Sequence, residues 1–346
     1  MTFDDGLLDD QSALERADTL LRPIAESGAR VRREAAAAAE AVAQASVRLA
    51  DQPRAVVAAG PDSRLLRAVL EPVCPVPFVA WPGSGLPGWA GSLDLVVVLA
   101  PRGDDVATAS AVAEAVRRGC QLVVAAPEHS LVAEHAAGRY TTLLPTQTGD
   151  QLAIAVSVLD LLDRVHLGPA TDPAAVADAL DEVAVACSPH RDIAVNPAKI
   201  LAIGIAEDNP VLWGGTVLAA RAGRRVAEYF RRVTGRTALA ADAEHLLPVL
   251  EATAPADVFA DPFADPYADG PAAERRPVLV LLDDGGDDPA AEVTRARLVE
   301  AAESRGVRVE TVSCASVTAD GDVARYAALL ATGTYAAAYL RVGLDA

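Results

Sequence analysis

The stretch Leu93-Asp94-Leu95-Val96-Val97-Val98-Leu99-Ala100 decides the fold class. After one carboxylate the chain runs through six apolar residues without alternation, so both faces of this strand need cover. Such a strand belongs in a parallel sheet with helices on either side. The next segment, Asp104 to Arg118, places its apolar residues at helical spacing and ends at Gly119, a C-terminal stop. Upstream, Arg54–Ala59 is a short apolar run that ends at Gly60; a helical stretch from Asp62 to Glu71 and a second run, Val76–Trp81, follow. Downstream come Leu122–Ala126, a helical stretch His129–Ala137, and Tyr140–Leu144. Strands alternating with helices in this way predict a doubly wound α/β sheet.

Further out the rhythm repeats. Residues 7–50 read as helix, divided by Pro23 and by Ser27-Gly28, and 149–187 read as helix broken at Gly168-Pro169 and recapped by Thr171-Asp172. Pro210–Trp213 is then a strand ending in Gly214-Gly215, with a helix from Thr216 to Val233. Pro277–Leu282, a helix Pro289–Arg305, Val307–Val312 and a last helix from Asp322 complete the second half. The expected organisation is an N-terminal helical segment (1–50), a first α/β domain (51–165), a helical connector (166–195) and a second α/β domain (196–346). The segment Asp257–Arg276, with its Asp-Pro-aromatic-Ala-Asp repeat, cannot continue a helix and reads as an extended surface loop. It lacks the alternating ligands and central glycine of a calcium loop.

Charge and composition narrow the function classes. A formal net charge of −18 disfavours nucleic acid, and a phosphorylated ligand would need arginines gathered locally. No apolar run is long enough to span a bilayer, and the acidic N-terminus lacks a signal pattern, so a cytoplasmic protein without a membrane partner is expected. Aromatic residues make up only 4% of the chain, so the core must rest on Ala, Val and Leu. Lys199 is the only lysine. Cys74, Cys120, Cys187 and Cys314 stand far apart and read as buried thiols, and no metal or other cofactor is expected. Nucleotide-binding glycine motifs and a hydrolase nucleophile elbow are absent.

Particular residues then point to a family. Leu86-Pro87-Gly88-Trp89 ahead of Leu93–Leu99, Asn196-Pro197-Ala198-Lys199 ahead of the Pro210 strand, and Tyr339-Leu340 with Gly343 and Asp345 occur in a telling order. Together they resemble the bifunctional phosphoglucose/phosphomannose isomerases, over most of residues 50–346. The resemblance implies two flavodoxin-like sugar-isomerase (SIS) domains and a homodimer. It also implies metal-free interconversion of glucose or mannose 6-phosphate with fructose 6-phosphate through proton transfer between C1 and C2.

Carried onto this chain residue by residue, the family's site is incomplete. Its first glycine-rich loop falls on Gly60-Pro61-Asp62-Ser63, which leaves Gly60 and Ser63 as candidate phosphate ligands. Its second, Ser/Thr-rich loop falls on Ala100–Thr108, where Arg102, Gly103 and Thr108 are the candidates. Asp104 and Asp105 stand there instead of hydroxyls and are expected to cap the following helix themselves. The family arginine after the fifth strand falls near Gln151, and its terminal lysine has no match before Ala346. Glu228 falls where the family's proton-transferring glutamate lies, and His245 near its ring-opening histidine. By residue chemistry alone, Glu228 equally suits a pair with Arg224, Arg225 or Arg232, and His245 a surface position. The arginines at 221, 224, 225, 231, 232 and 236 make one basic helix, open to an anionic ligand, an acidic partner or a solvated face. Three readings therefore stay open: an isomerase acting on hexose 6-phosphates, a non-catalytic sugar-phosphate binder, and a dimeric scaffold or regulator.

Overall fold

The computed structural model describes residues 2–49, 51–255, 275–314 and 318–344. The chain divides into two compact units: one of Glu26–Asp181 with Ala319–Ala324, the other of Met1–Ala25, Glu182–Thr318 and Arg325–Ala346.

The first unit holds a five-stranded sheet, A, built as the apolar runs predicted. Its strands are β1 (Val56–Ala59), β2 (Phe78–Trp81), β3 (Leu95–Leu99), β4 (Gln121–Ala126) and β5 (Thr141–Pro145). Their order is β2-β1-β3-β4-β5 with every pairing parallel, the flavodoxin-like winding. All five residues of β3 are buried, as an uninterrupted apolar run requires. The core on one face consists of Ala, Val, Leu and Cys alone, with Ala109, Ala111 and Ala115 of the helix Val106–Arg118 seated against Val96 and Val98. Small side chains let that helix lie close on the sheet. Gly119 ends it at φ +69, the left-handed stop the sequence predicted. On the opposite side a long helix, Ser27–Arg48, packs on β5 and on the helix Gln151–Arg164.

The second unit holds sheet B: β6 (Asn209–Gly214), β7 (Leu239–Ala240), β8 (Pro277–Asp283) and β9 (Val309–Ser313), parallel throughout in the order β7-β6-β8-β9. Helices Val217–Thr234, Pro289–Ser304 and Asp322–Leu344 stand where the sequence placed them. Three elements lay beyond the sequence reading: the helix Pro197–Gly204, the two-residue strand β7, and the helix Ala243–Glu251 with Pro248 inside it. The extended loop expected at 257–276 lies largely outside the described residues.

Two of the three motifs behind the family resemblance, residues 196–199 and 339–343, converge in this unit on a structural knot. Asn196 is fully buried; its side chain caps the helix Pro197–Gly204 by accepting from the amides of Ala198 and Lys199. Lys199, also fully buried, points its ammonium at Asp9 Oδ1 (2.6 Å) and at the carbonyls of Pro189 and Arg191 (2.9 Å each). The ammonium stands 5.5 Å from the ring of Tyr339, whose hydroxyl donates to the Cys187 carbonyl at 2.6 Å. A Cβ on Gly343 would come within 2.2 Å of the Phe3 ring, so only glycine admits the N-terminal segment there. Asp345 lies outside the described residues. All four cysteines are free thiols, and burial pushes the pKa of Cys187 up to about 12, far from reactive thiolate range.

Replacing Lys199 with Met keeps the volume but leaves Asp9 and two carbonyls without their donor. A loss of about 3 kcal/mol is expected, measured as a lower urea midpoint for the unit carrying sheet B. Asp9→Asn, at a half-exposed partner, is expected to cost about 1 kcal/mol or less.

Candidate functional site

In a sheet wound in the order of sheet A, ligands sit outside the carboxyl ends of the strands, where the winding reverses between β1 and β3. Three of the five phosphate-site candidates, Gly60, Ser63 and Thr108, meet around this point. Gly60 follows β1 at φ +90, a left-handed conformation that favours glycine, and its amide donates to the Trp81 carbonyl at 2.9 Å. A Cβ there would stand 3.0 Å from Thr108 Oγ1, so the turn after β1 lies directly on the first turn of the helix after β3. Ser63 opens the helix Ser63–Leu70; it is 1% exposed and its hydroxyl has no hydrogen-bond partner among the described residues. Gly103, at φ +70, is wedged against Ser130 and Pro127. Arg102 points away: its side chain is 82% exposed and pairs with Asp104 at 3.3 Å.

The donors a phosphate would use are already engaged. Asp105 is the N-cap of the helix Val106–Arg118; one of its oxygens accepts from the Thr108 amide at 2.7 Å and from the Thr108 hydroxyl at 2.5 Å. Those bonds hold the Asp105 carboxyl below its ordinary pKa, the hydroxyl contributing most and the amide next, against a small opposing effect of burial. Of the two carboxylates expected to cap this helix, Asp105 does so and Asp104 does not.

Three further residues close the same edge. Asp150 caps the helix Gln151–Arg164 through the amides of Leu152 and Ala153 and is paired with Arg30 at 2.7 Å. Asp62 accepts from Gln151 Nε2 at 2.5 Å, which bonds the start of the helix after β5 to the turn after β1. Glu34, buried in the long helix, accepts from the amides of Gln147 and Thr148 in the turn after β5. Sequence reasoning did not find Glu34, because its partner turn lies 113 residues away and nothing local marks it.

The catalytic candidates lie in the unit of sheet B. Glu228 is exposed and paired with Arg225 at 3.1 Å, and His245 is 70% exposed beside Glu244. Among the described residues no hydrogen bond or ion pair joins Glu228 to His245. The other arginines of this basic region serve the fold. Arg224 meets Asp242, Arg231 holds the Ala238 carbonyl, and Arg236 holds the carbonyls of Ala206 and Asp208.

Comparison with known proteins now separates fold from chemistry. Residues 194–345 match the family described as the bacterial phospho-glucose isomerase C-terminal SIS domain. Over that stretch the chain is similar to an SIS domain. The SIS fold also extends over nearly the whole chain. The C-terminal domain of glucosamine-fructose-6-phosphate aminotransferase from Francisella tularensis superposes with a TM-score of 0.66 at 11% identity, covering 94% of this chain and 96% of that one. Tagatose-6-phosphate ketose/aldose isomerase from Escherichia coli gives 0.63 at 11% identity, covering 93% of each chain. A glucose-6-phosphate isomerase like protein from Thermus thermophilus gives 0.52 at 17% identity, covering 97% of this chain and 92% of that one. Comparison with curated proteins by sequence finds no match. At such identities the SIS fold is shared, and the chemistry has to be argued from the side chains.

The cap on the helix after β3 has a pH signature. The Asp105 carboxyl is lowered in the folded chain, so its stabilisation is complete above the unfolded value of about 3.9 and disappears as pH falls through the folded value. Asp105→Asn keeps an acceptor at the cap but removes its charge, and is expected to lower stability by about 0.5 kcal/mol at pH 7, with wild type and variant converging on acidification. Urea midpoints taken at stepped pH values check this; a gap that widens towards acid contradicts it.

Proposed function

We propose that this chain is a carbohydrate-derivative-binding member of the SIS phosphosugar isomerases that no longer carries the machinery for aldose–ketose isomerisation. One observation carries the reading: Asp105 takes both the amide and the hydroxyl of Thr108, the donors a sugar phosphate would need in the turn after β3. An ionised carboxylate about 5 Å from a phosphate opposes it by roughly 3 kcal/mol for each pair of unit charges at an effective dielectric of 20. Arg102, the nearby cation, is turned to solvent and matched by Asp104. Isomerisation needs a base and a ring-opening acid held at one substrate. Glu228 is instead neutralised by Arg225 on an exposed helix face, and His245 stands free of it. Ser63 supports retained binding, because its buried hydroxyl has no hydrogen-bond partner among the described residues. The homodimer implied by the family resemblance and a cytoplasmic location complete the proposal.

A coupled assay for fructose 6-phosphate, with glucose 6-phosphate or mannose 6-phosphate as substrate, is expected to show no turnover above background. Turnover abolished by Glu228→Gln restores the isomerase and refutes this reading. Thermal unfolding with sugars and sugar phosphates tests the binding half. A ligand at 100 times its Kd raises stability by about 2.7 kcal/mol, and no shift with any of them leaves only the dimeric scaffold, which light scattering then examines.

A further inference from the structure

We propose that Glu34 is the specificity-determining residue that keeps phosphate out of the crevice of sheet A and leaves it to a carbohydrate derivative without a phosphate group. The proposal deepens the reading of this crevice as a carbohydrate seat and rests on it.

The turn after β5 is built as an oxyanion receptor. The Gln147 and Thr148 amides converge on one point, Gly149 follows at φ +67, and the Thr146 amide ties the turn to the end of β4 through the Ala126 carbonyl at 3.1 Å. Paired amides at the carboxyl edge of a parallel sheet are the ordinary seat of a phosphate or sulfate. Here the occupant belongs to the chain. Glu34 is 1% exposed, and its two oxygens stand 3.0 and 3.1 Å from the Gln147 nitrogen. Among the described residues its hydrogen-bond partners are these amides, and no cation is paired with it.

The seat is thus filled, and its negative charge is not offset. An incoming phosphate would meet Glu34 after β5 and Asp105 after β3, while the nearby arginines are already matched, Arg30 to Asp150 and Arg102 to Asp104. A hydroxyl, or an ammonium on an amino sugar, meets no such opposition. Two side chains at this edge, Ser63 and Thr146, have hydroxyls without a partner among the described residues, and both are neutral groups suited to a sugar hydroxyl.

Calorimetric titration of the full chain and of Glu34→Gln and Glu34→Ala, with fructose, glucosamine, fructose 6-phosphate and inorganic phosphate, tests this. Removing the charge is expected to tighten fructose 6-phosphate and inorganic phosphate by about tenfold or more, to move neutral fructose by less than about twofold, and to weaken protonated glucosamine. Equal phosphate affinity in wild type and in folded Glu34→Gln overturns the proposal, as does a wild type that prefers fructose 6-phosphate to fructose. Should the variants not fold, amide NMR of the wild type decides. Gln147 and Thr148 signals unmoved by inorganic phosphate uphold Glu34 as occupant, and a saturable shift overturns it. The carbohydrate seat fails separately: phosphate gained in Glu34→Gln while no sugar binds any form keeps the role of Glu34 and removes the seat.

Discussion

Every helix that follows a strand of a parallel sheet begins with backbone N–H groups that have no partner inside the helix and point towards the carboxyl edge. These donors have to be satisfied by water, by a ligand or by the chain itself. After β3 and β5 the chain supplies them. Asp105 serves the helix after β3, Asp150 the helix after β5, and Glu34 the turn between β5 and that helix. A cap of this kind is worth about 1 kcal/mol in the absence of ligand, so the sheet is stabilised by the same bonds that deny its edge to an anion. The amides that could receive an anion here are bonded to carboxylates of the chain.

The unit of sheet B shows the complementary case. Several of the residues that give the chain its family likeness are packed into the interior: Asn196 caps a helix, Lys199 reaches back to Asp9 and two carbonyls, Tyr339 closes over the ammonium, and Gly343 makes room for Phe3. Their work is to join the last helix, the N-terminal segment and the turn before residue 197 around one buried cation. A sequence can keep that arrangement while its reactive groups change, because the two make different demands. The buried ammonium requires three oxygens at fixed positions, whereas an exposed glutamate such as Glu228 is satisfied by any arginine one turn away. The family is therefore legible in its packing residues, and its chemistry is not.

How far the sequence could be read follows the range of the interactions concerned. Strand β3 and its parallel partners were legible because an apolar run without alternation leaves few alternatives, and Gly119 marked a helix end through its own backbone geometry. Asp105 as a cap was legible because its acceptor and donor lie three residues apart. The helix Pro197–Gly204 escaped because eight residues show too little periodicity, strand β7 because two residues show none, and the helix Ala243–Glu251 because Pro248 contradicts it locally. Glu34 was out of reach for a stricter reason. A glutamate in an Ala-rich helix looks like one solvated charge among many, and only the fold brings Gln147 and Thr148 to it.

The placement of the arginines explains why the acidic edge stays acidic. Arg236 holds the carbonyls of Ala206 and Asp208, Arg308 that of Gly204, Arg276 that of Arg305, and Arg118 those of Pro87 and Ala90. Several of these carbonyls end helices, where a cation is favoured by the unpaired C=O groups and the helix dipole. Carboxylates gather at the opposite ends for the corresponding reason. The charges are thus sorted along each α/β unit, arginines towards helix C-termini and aspartates towards helix N-termini, and the sorting satisfies backbone groups at both. A sugar phosphate needs the reverse at the carboxyl edge of the sheet: free amides with a cation beside them. The arrangement that satisfies this backbone without a ligand is therefore the one that opposes a phosphorylated ligand, and relieving that opposition means exposing donors that a capping carboxylate now holds.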